Sequence, residues 1–141
     1  MKTESSAHWE GGLKDGHGKL NTESGVLKET PYEFKTRFED AVGTNPEELI
    51  GAAHAGCFSM ALSNILGQSD MTADSIDTKA SVTLEKGDDG PAITKVHLEV
   101  SAKIPGASEE AFLECANKAK TGCPVSRLLN AEITMDAKLV S

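Results

Sequence analysis

Three residues of this chain carry thiols: Cys57, Cys115 and Cys123. A thiolate is both a nucleophile and a redox centre, so these positions come first. An odd number of cysteines spread over a long span does not read as the disulfide framework of a small secreted domain. In a reducing cytosol, cysteines that matter are more often catalytic or metal-binding than structural. Cys57 lies in the apolar run from Gly51 to Met60. Free cysteine is a common small core residue, but Gly51 and Gly56 interrupt a helix that Ala would serve at lower cost. Glycine there predicts the close approach of another backbone or a ligand. Cys123 precedes Pro124, which suits the first position of a helix. As its cap, Cys123 would face backbone N–H groups and the positive end of the helix, an arrangement that lowers a thiol pKa. Cys115 shares a helical face with Phe112 and Ala119 and reads as core.

His54 stands one helical turn before Cys57 and has two possible roles, base or ligand. A single histidine on an apolar helix is more often a satisfied core residue. Zinc would require His54, Cys57, Cys123 and a fourth ligand, and the chain has no Cys-x-x-Cys or His-x-x-x-His spacing, so no metal site is expected. Two chemistries stay open on the residues alone: a redox-active thiol, and a hydrolytic nucleophile in which His54 activates Cys57.

The elements that position these residues follow from periodicity and turn chemistry. Residues 1–30 contain Gly11, Gly12, Gly16, Gly18 and Gly25 and predict short strands joined by tight turns. Tyr32, Phe34, Thr36 and Phe38 alternate with polar neighbours, which predicts a strand with Arg37 on its other face. Thr44-Asn45-Pro46-Glu47-Glu48 is a helix start: Asn45 caps, Pro46 takes the first position, and Glu48 completes a capping box. Leu49 to Leu66 then contains no Asp, Glu, Lys or Arg. A helix apolar around most of its circumference is normally buried, so this is expected to be the central helix. Alternation at Ile76–Leu84 and Val96–Ala102 predicts a hairpin turning at residues 87–91. Ser108 opens a second helix that ends at Gly122, Pro124 opens a short third, and Ile133, Met135, Ala137 and Leu139 mark a last strand. The order predicts a single α+β domain over residues 1–141, with a mainly antiparallel sheet.

Bulk properties narrow the function. The 141 residues carry a formal net charge of −8, a balance that repels phosphate backbones and disfavours nucleic acid as a partner. No apolar run reaches the roughly 18 residues of a membrane span, and Met1–Ser6 lacks the hydrophobic stretch of a signal peptide. No membrane association and a cytoplasmic location are expected.

The run Asn45–Ala61, with Gly51-Ala52-Ala53-His54-Ala55-Gly56-Cys57 at its centre, and the run Ala119–Ser126, with Gly122-Cys123-Pro124, resemble the OsmC family. This is the osmotically inducible branch of the OsmC/Ohr superfamily of organic hydroperoxide peroxidases. Thr22–Leu27, Thr36–Glu39 and Ser75–Thr78 fit the same branch, so the resemblance spans essentially the whole chain. It implies an intertwined homodimer of curved, mainly antiparallel sheets wrapped around long central helices, with two sites at the dimer interface. Cys57 then matches the peroxidatic cysteine and Cys123 the resolving one, joined by a disulfide after turnover. Arg37 and Glu48 match the pair that activates the thiolate. The resemblance further implies no bound cofactor, a hydroperoxide substrate, and reduction by an external dithiol of the dihydrolipoamide type or a lipoylated protein.

On this reading the Cys57 thiolate attacks the distal peroxide oxygen, leaving a sulfenic acid that Cys123 converts to a disulfide. Phe58 and Met60 are expected to line an apolar pocket that favours alkyl hydroperoxides over hydrogen peroxide. Judged on dipoles alone Cys123 is the more acidic thiol, so a mid-helix Cys57 depends on Arg37. Glu48 lies nine positions before Cys57, about 13 Å along a helix and half a turn around it, so the expected donor of Arg37 and Glu48 is a second subunit. The alternative is a thiol-based redox sensor or binding module without turnover.

Overall fold

The computed structural model describes residues 1–140, which divide into two compact units, one ending at Leu49 and the other starting at Ile50. In the first, β1 (Ser5–Glu10), β2 (His17–Thr22) and β3 (Thr30–Tyr32) form an antiparallel sheet in that order. Gly18 pairs with Trp9 on one side and Tyr32 on the other. A Cβ there would lie 2.5 Å from the Tyr32 ring and 2.6 Å from the Trp9 ring, so only glycine lets the two rings close to 5.5 Å between centroids.

The strand expected at Tyr32–Glu39 is instead α1, a short helix at Phe34–Phe38. Its aromatic residues alternate, but Phe34 and Phe38 are also four apart, and on a helix their rings meet with centroids 4.9 Å apart. Thr36 closes the first turn, its hydroxyl accepting from the Glu33 amide at 2.9 Å and donating to the Glu33 carbonyl at 2.9 Å. The Asn45 side-chain amide then donates to the Thr36 carbonyl at 2.9 Å, tying α1 to the start of the next helix.

That helix, α2, spans Pro46–Gln68 and starts as the sequence predicts, with the Glu48 amide donating to Asn45 Oδ1 at 2.8 Å. Gly51, His54, Phe58, Leu62 and Leu66 are buried, whereas Ala52, Ala53, Gly56 and Met60 are exposed. The helix is therefore buried along one stripe, not all round as expected. It is also long and apolar enough to cross a membrane by length and composition, with mean hydropathy 1.4, contrary to the reading that no segment reaches that threshold. Its buried stripe packs against protein. Gly51 faces Val82 and the Ala80 carbonyl, and the Ser59 and Thr78 hydroxyls lie 2.7 Å apart.

In the second unit β4 (Ser75–Gly87) and β5 (Gly90–Lys103) form the expected hairpin, with Asp88 and Asp89 at its tip and Gly90 at φ +104°. α3 (Glu109–Gly122) is capped by Ser108, whose hydroxyl accepts from the Ala111 amide. It is followed by α4 (Pro124–Leu128) and β6 (Glu132–Leu139). β6 pairs with β5 in parallel, because a strand that returns through two helices to the edge of β5 enters in the same direction. The sheets remain antiparallel in every other pairing. Phe58, Leu62 and Leu66 of α2, alternate residues of β5 from Val96 to Ala102, and Phe112, Cys115, Ala116 and Ala119 of α3 make one core.

Candidate active site

Cys57 sits mid-way along α2 and Cys123 in the joint between α3 and α4, where Pro124 allows no continuation of α3. The joint places the fully buried Cys123 sulfur 2.8 Å from the half-buried Cys57 sulfur, and both are free thiols. Cys115 is buried on α3 among the core residues. Cys57 opens onto a hollow of about 560 Å³ lined chiefly by Met60, Ala61, Ile65, Gly122 and Pro124. Met60 was expected there. Phe58 was too, but it points the other way into the core and is fully buried. Gly51 has the β4 backbone beside it, whereas a side chain at Gly56 would meet nothing within 4 Å, so the close approach expected at both is seen at one.

Burial pushes the Cys57 thiol up from its ordinary range, and the adjoining Cys123 sulfur adds to this, because the proton held between the two sulfurs is lost when Cys57 ionises. The backbone amide of Val125 opposes it by donating to the Cys57 sulfur. The start of α4 thus serves Cys57. Cys123 makes no side-chain capping bond, contrary to the expectation that the α4 amides face its own sulfur. His54 is buried three residues before Cys57, with Nε2 2.7 Å from the Ser126 hydroxyl and no partner for Nδ1 among the described residues. Burial lowers its pKa and keeps it neutral. With Nε2 committed to Ser126, His54 does not form the Cys–His pair that a hydrolytic nucleophile would use. Among the described residues no three His, Cys, Asp or Glu side chains group as a metal site would need.

In the first unit, Arg37 holds Glu47, not Glu48. Its Nε and Nη2 donate to Glu47 Oε1 at 3.1 and 2.8 Å, and its cation lies 5.2 Å from the Phe38 ring centroid. Glu47 is buried, while the exposed Glu48 accepts a hydrogen bond from the Thr44 hydroxyl at 2.8 Å. Glu48 is occupied at the helix start, so the idea that it holds Arg37 is corrected to Glu47. A signal for this was present: Glu47 continues the stripe of Gly51, His54 and Phe58 one turn back, and Glu48 does not. Arg37 also borders a hollow of about 290 Å³ with Trp9, Leu13, Tyr32, Phe34 and Phe38. Val125 and Ser126 were missed as well, since neither carries a motif and only the fold brings them to α2.

The family model described as OsmC-like protein matches residues 38–138. The chain belongs to the OsmC family. It is 58% identical over 135 residues to Peroxiredoxin OsmC of Escherichia coli, covering 96% of this chain and 94% of that one. It is 26% identical over 123 residues to the organic hydroperoxide resistance protein OhrB of Bacillus subtilis, covering 86% and 88%. The crystal structure of that OhrB superposes with a TM-score of 0.70 over 96% of this chain and 98% of OhrB, at 23% identity. An OsmC-like protein from Mycoplasma pneumoniae superposes at 0.76 over 100% and 99%, at 15% identity. The OsmC/Ohr fold expected from the sequence is thereby shown.

Proposed function

We propose that this OsmC-family chain is a thiol peroxidase that reduces organic hydroperoxides, and hydrogen peroxide more weakly, through Cys57 and Cys123. The observation that carries the reading is the 2.8 Å approach of two free thiols separated by 66 positions, at the edge of an apolar hollow. The Cys57 thiolate attacks the distal oxygen of the hydroperoxide; the O–O bond breaks, the alkoxide leaves as alcohol after taking a proton, and Cys57 becomes a sulfenic acid. The Cys123 thiolate attacks that sulfur and expels hydroxide, which leaves as water, giving the disulfide. Because the sulfurs are already adjacent, the second step requires little rearrangement. An external dithiol of the dihydrolipoamide type, free or on a lipoylated protein, then exchanges with the disulfide and returns both thiols. The names of the relatives, peroxiredoxin and organic hydroperoxide resistance protein, support the substrate class.

Arg37 supplies the cation that the raised Cys57 thiol requires, and Glu47 orients it. The chain acts as one dimerising domain in the cytoplasm, and the bare face of α2 around Gly56 and Met60 is covered by a second copy. Turnover is tested with a panel of hydroperoxides and dihydrolipoamide as reductant, beside ester hydrolysis. Rapid, repeated consumption of alkyl hydroperoxides is expected. A single equivalent consumed and no recycling with any dithiol would favour a redox sensor, and ester cleavage that depends on Cys57 would favour a hydrolase.

A further inference from the structure

We propose that the buried His54–Ser126 hydrogen bond is a positioning device: it fastens α4 to the turn of α2 that carries Cys57, aiming the Val125 amide at the Cys57 sulfur and keeping Cys123 in bonding reach. α4 has five residues, far fewer than a helix needs to persist alone. Its cap residue Cys123 provides no side-chain capping bond. Its own backbone contributes Arg127 N–H to Cys123 O at 3.0 Å, and Leu129 N–H to Val125 O at 3.1 Å. The side-chain tie across to α2 is the 2.7 Å bond between Ser126 Oγ and His54 Nε2.

The placement of the two residues makes that tie specific. His54 precedes Cys57 by three positions, less than one turn, so anchor and thiol share one stretch of α2. Ser126 adjoins Val125, whose amide reaches the Cys57 sulfur, and follows Cys123 by three. A polar pair in a core is no more stable than a well-shaped apolar one. His54 also keeps an Nδ1 without a partner among the described residues. What the bond provides is a fixed direction, which an apolar contact does not. Of the two groups seated there, the Cys123 thiol, which opposes ionisation, outweighs the Val125 amide, which favours it, so a loosened α4 leaves Cys57 more readily ionised. The ionisable group acting on Cys57 from the elements around it is Cys123, which opposes ionisation and does not substitute for the amide.

This role deepens the peroxidase reading and rests on it, but the state of the Cys57 thiol is measurable without any peroxide. The rate of iodoacetamide alkylation at Cys57, resolved by peptide mass spectrometry, is followed against pH in the full reduced chain. Ser126→Ala and His54→Leu should each move the profile downward and speed alkylation at neutral pH about three- to tenfold. The double variant should be no faster than the singles, because both remove one bond. Ser126→Thr, which keeps the hydroxyl, should track the wild type. Circular dichroism establishes folding, and if one single variant fails to fold, the other carries the same expectation. An unchanged profile in a folded single variant overturns the proposal, as does Ser126→Thr behaving like Ser126→Ala, which would mark a packing role. Hydroperoxide turnover is measured on the wild type in parallel. Its absence would refute the peroxidase reading and leave the Cys57 profile to decide the fastening.

Discussion

Two opposing influences meet at the Cys57 sulfur: burial and the neighbouring thiol disfavour its ionisation, and the Val125 amide favours it. A thiol held up in this way is a slow nucleophile near neutrality unless a cation acts on it. Arg37→Ala is therefore expected to raise the Cys57 pKa by about one unit more, seen as slower alkylation at neutral pH. An unchanged profile would place the activation elsewhere. The two adjacent glutamates separate cleanly. Glu47→Gln should lower peroxide turnover about tenfold, a loss of the size that follows from a misplaced positively charged group. Glu48→Gln should keep turnover and slightly lower the melting temperature, since Glu48 works at the start of α2. Cys57→Ser should abolish turnover, Cys123→Ser should consume one equivalent without recycling, and Cys115→Ser should behave as wild type. The approach of Cys57 to Cys123 and the place of Cys115 in the core were legible from residue type and resemblance. The choice between Glu47 and Glu48 was legible only in the spacing to Gly51, His54 and Phe58, because both residues satisfy a helix start.

Elements that differ from the sequence reading differ for identifiable reasons. The alternation over the seven residues from Tyr32 to Phe38 satisfies period two, yet Phe34 and Phe38 also satisfy the i, i+4 spacing, and Thr36 with Asn45 settles the segment as helix. The direction of β6 depends on which edge it reaches, a tertiary choice that a period-two pattern does not contain. The hairpin, the α3 cap and the α3–α4 joint were all legible, because each is written in local residues: Asp88-Asp89, Ser108, and Gly122 to Pro124. His54 has a consequence at this scale, since burial with no charged partner lowers its pKa below the unfolded value near 6.5. The unfolded chain then binds the proton more readily. Stability is therefore full above about pH 6.5 and falls as pH drops from there through the lowered folded value, below which this site costs nothing further. Urea midpoints against pH should show that slope in the wild type and a shallower one in His54→Leu. Equal slopes would exclude His54 as the source.

One face of α2 is exposed along Ala52, Ala53, Gly56 and Met60, with Met60 at 77%. A homodimer that covers this face, with Arg37 and Glu47 of one subunit serving Cys57 of the other, predicts complementation. Co-refolded Cys57→Ser and Glu47→Ala chains should regain about one working site per mixed dimer, and confirmed heterodimers without activity would exclude a shared site. The Cys57–Cys123 pair also has a long-range consequence, because its partners are 66 positions apart. Closing that bond ties a large loop, which in the chain-entropy picture adds about 4 kcal/mol to the stability of the oxidised chain. Around a closed thermodynamic cycle, the folded protein must hold its disulfide more strongly than the unfolded chain by the same amount. That corresponds to a reduction potential about 90 mV more negative. The oxidised chain should accordingly melt at a higher temperature than the reduced one, and its disulfide should open at a milder potential in denaturant than in buffer. In the proposed cycle the fold would therefore act as a voltage source in series with the reaction, driving peroxide reduction forward and demanding a strongly reducing dithiol for the return.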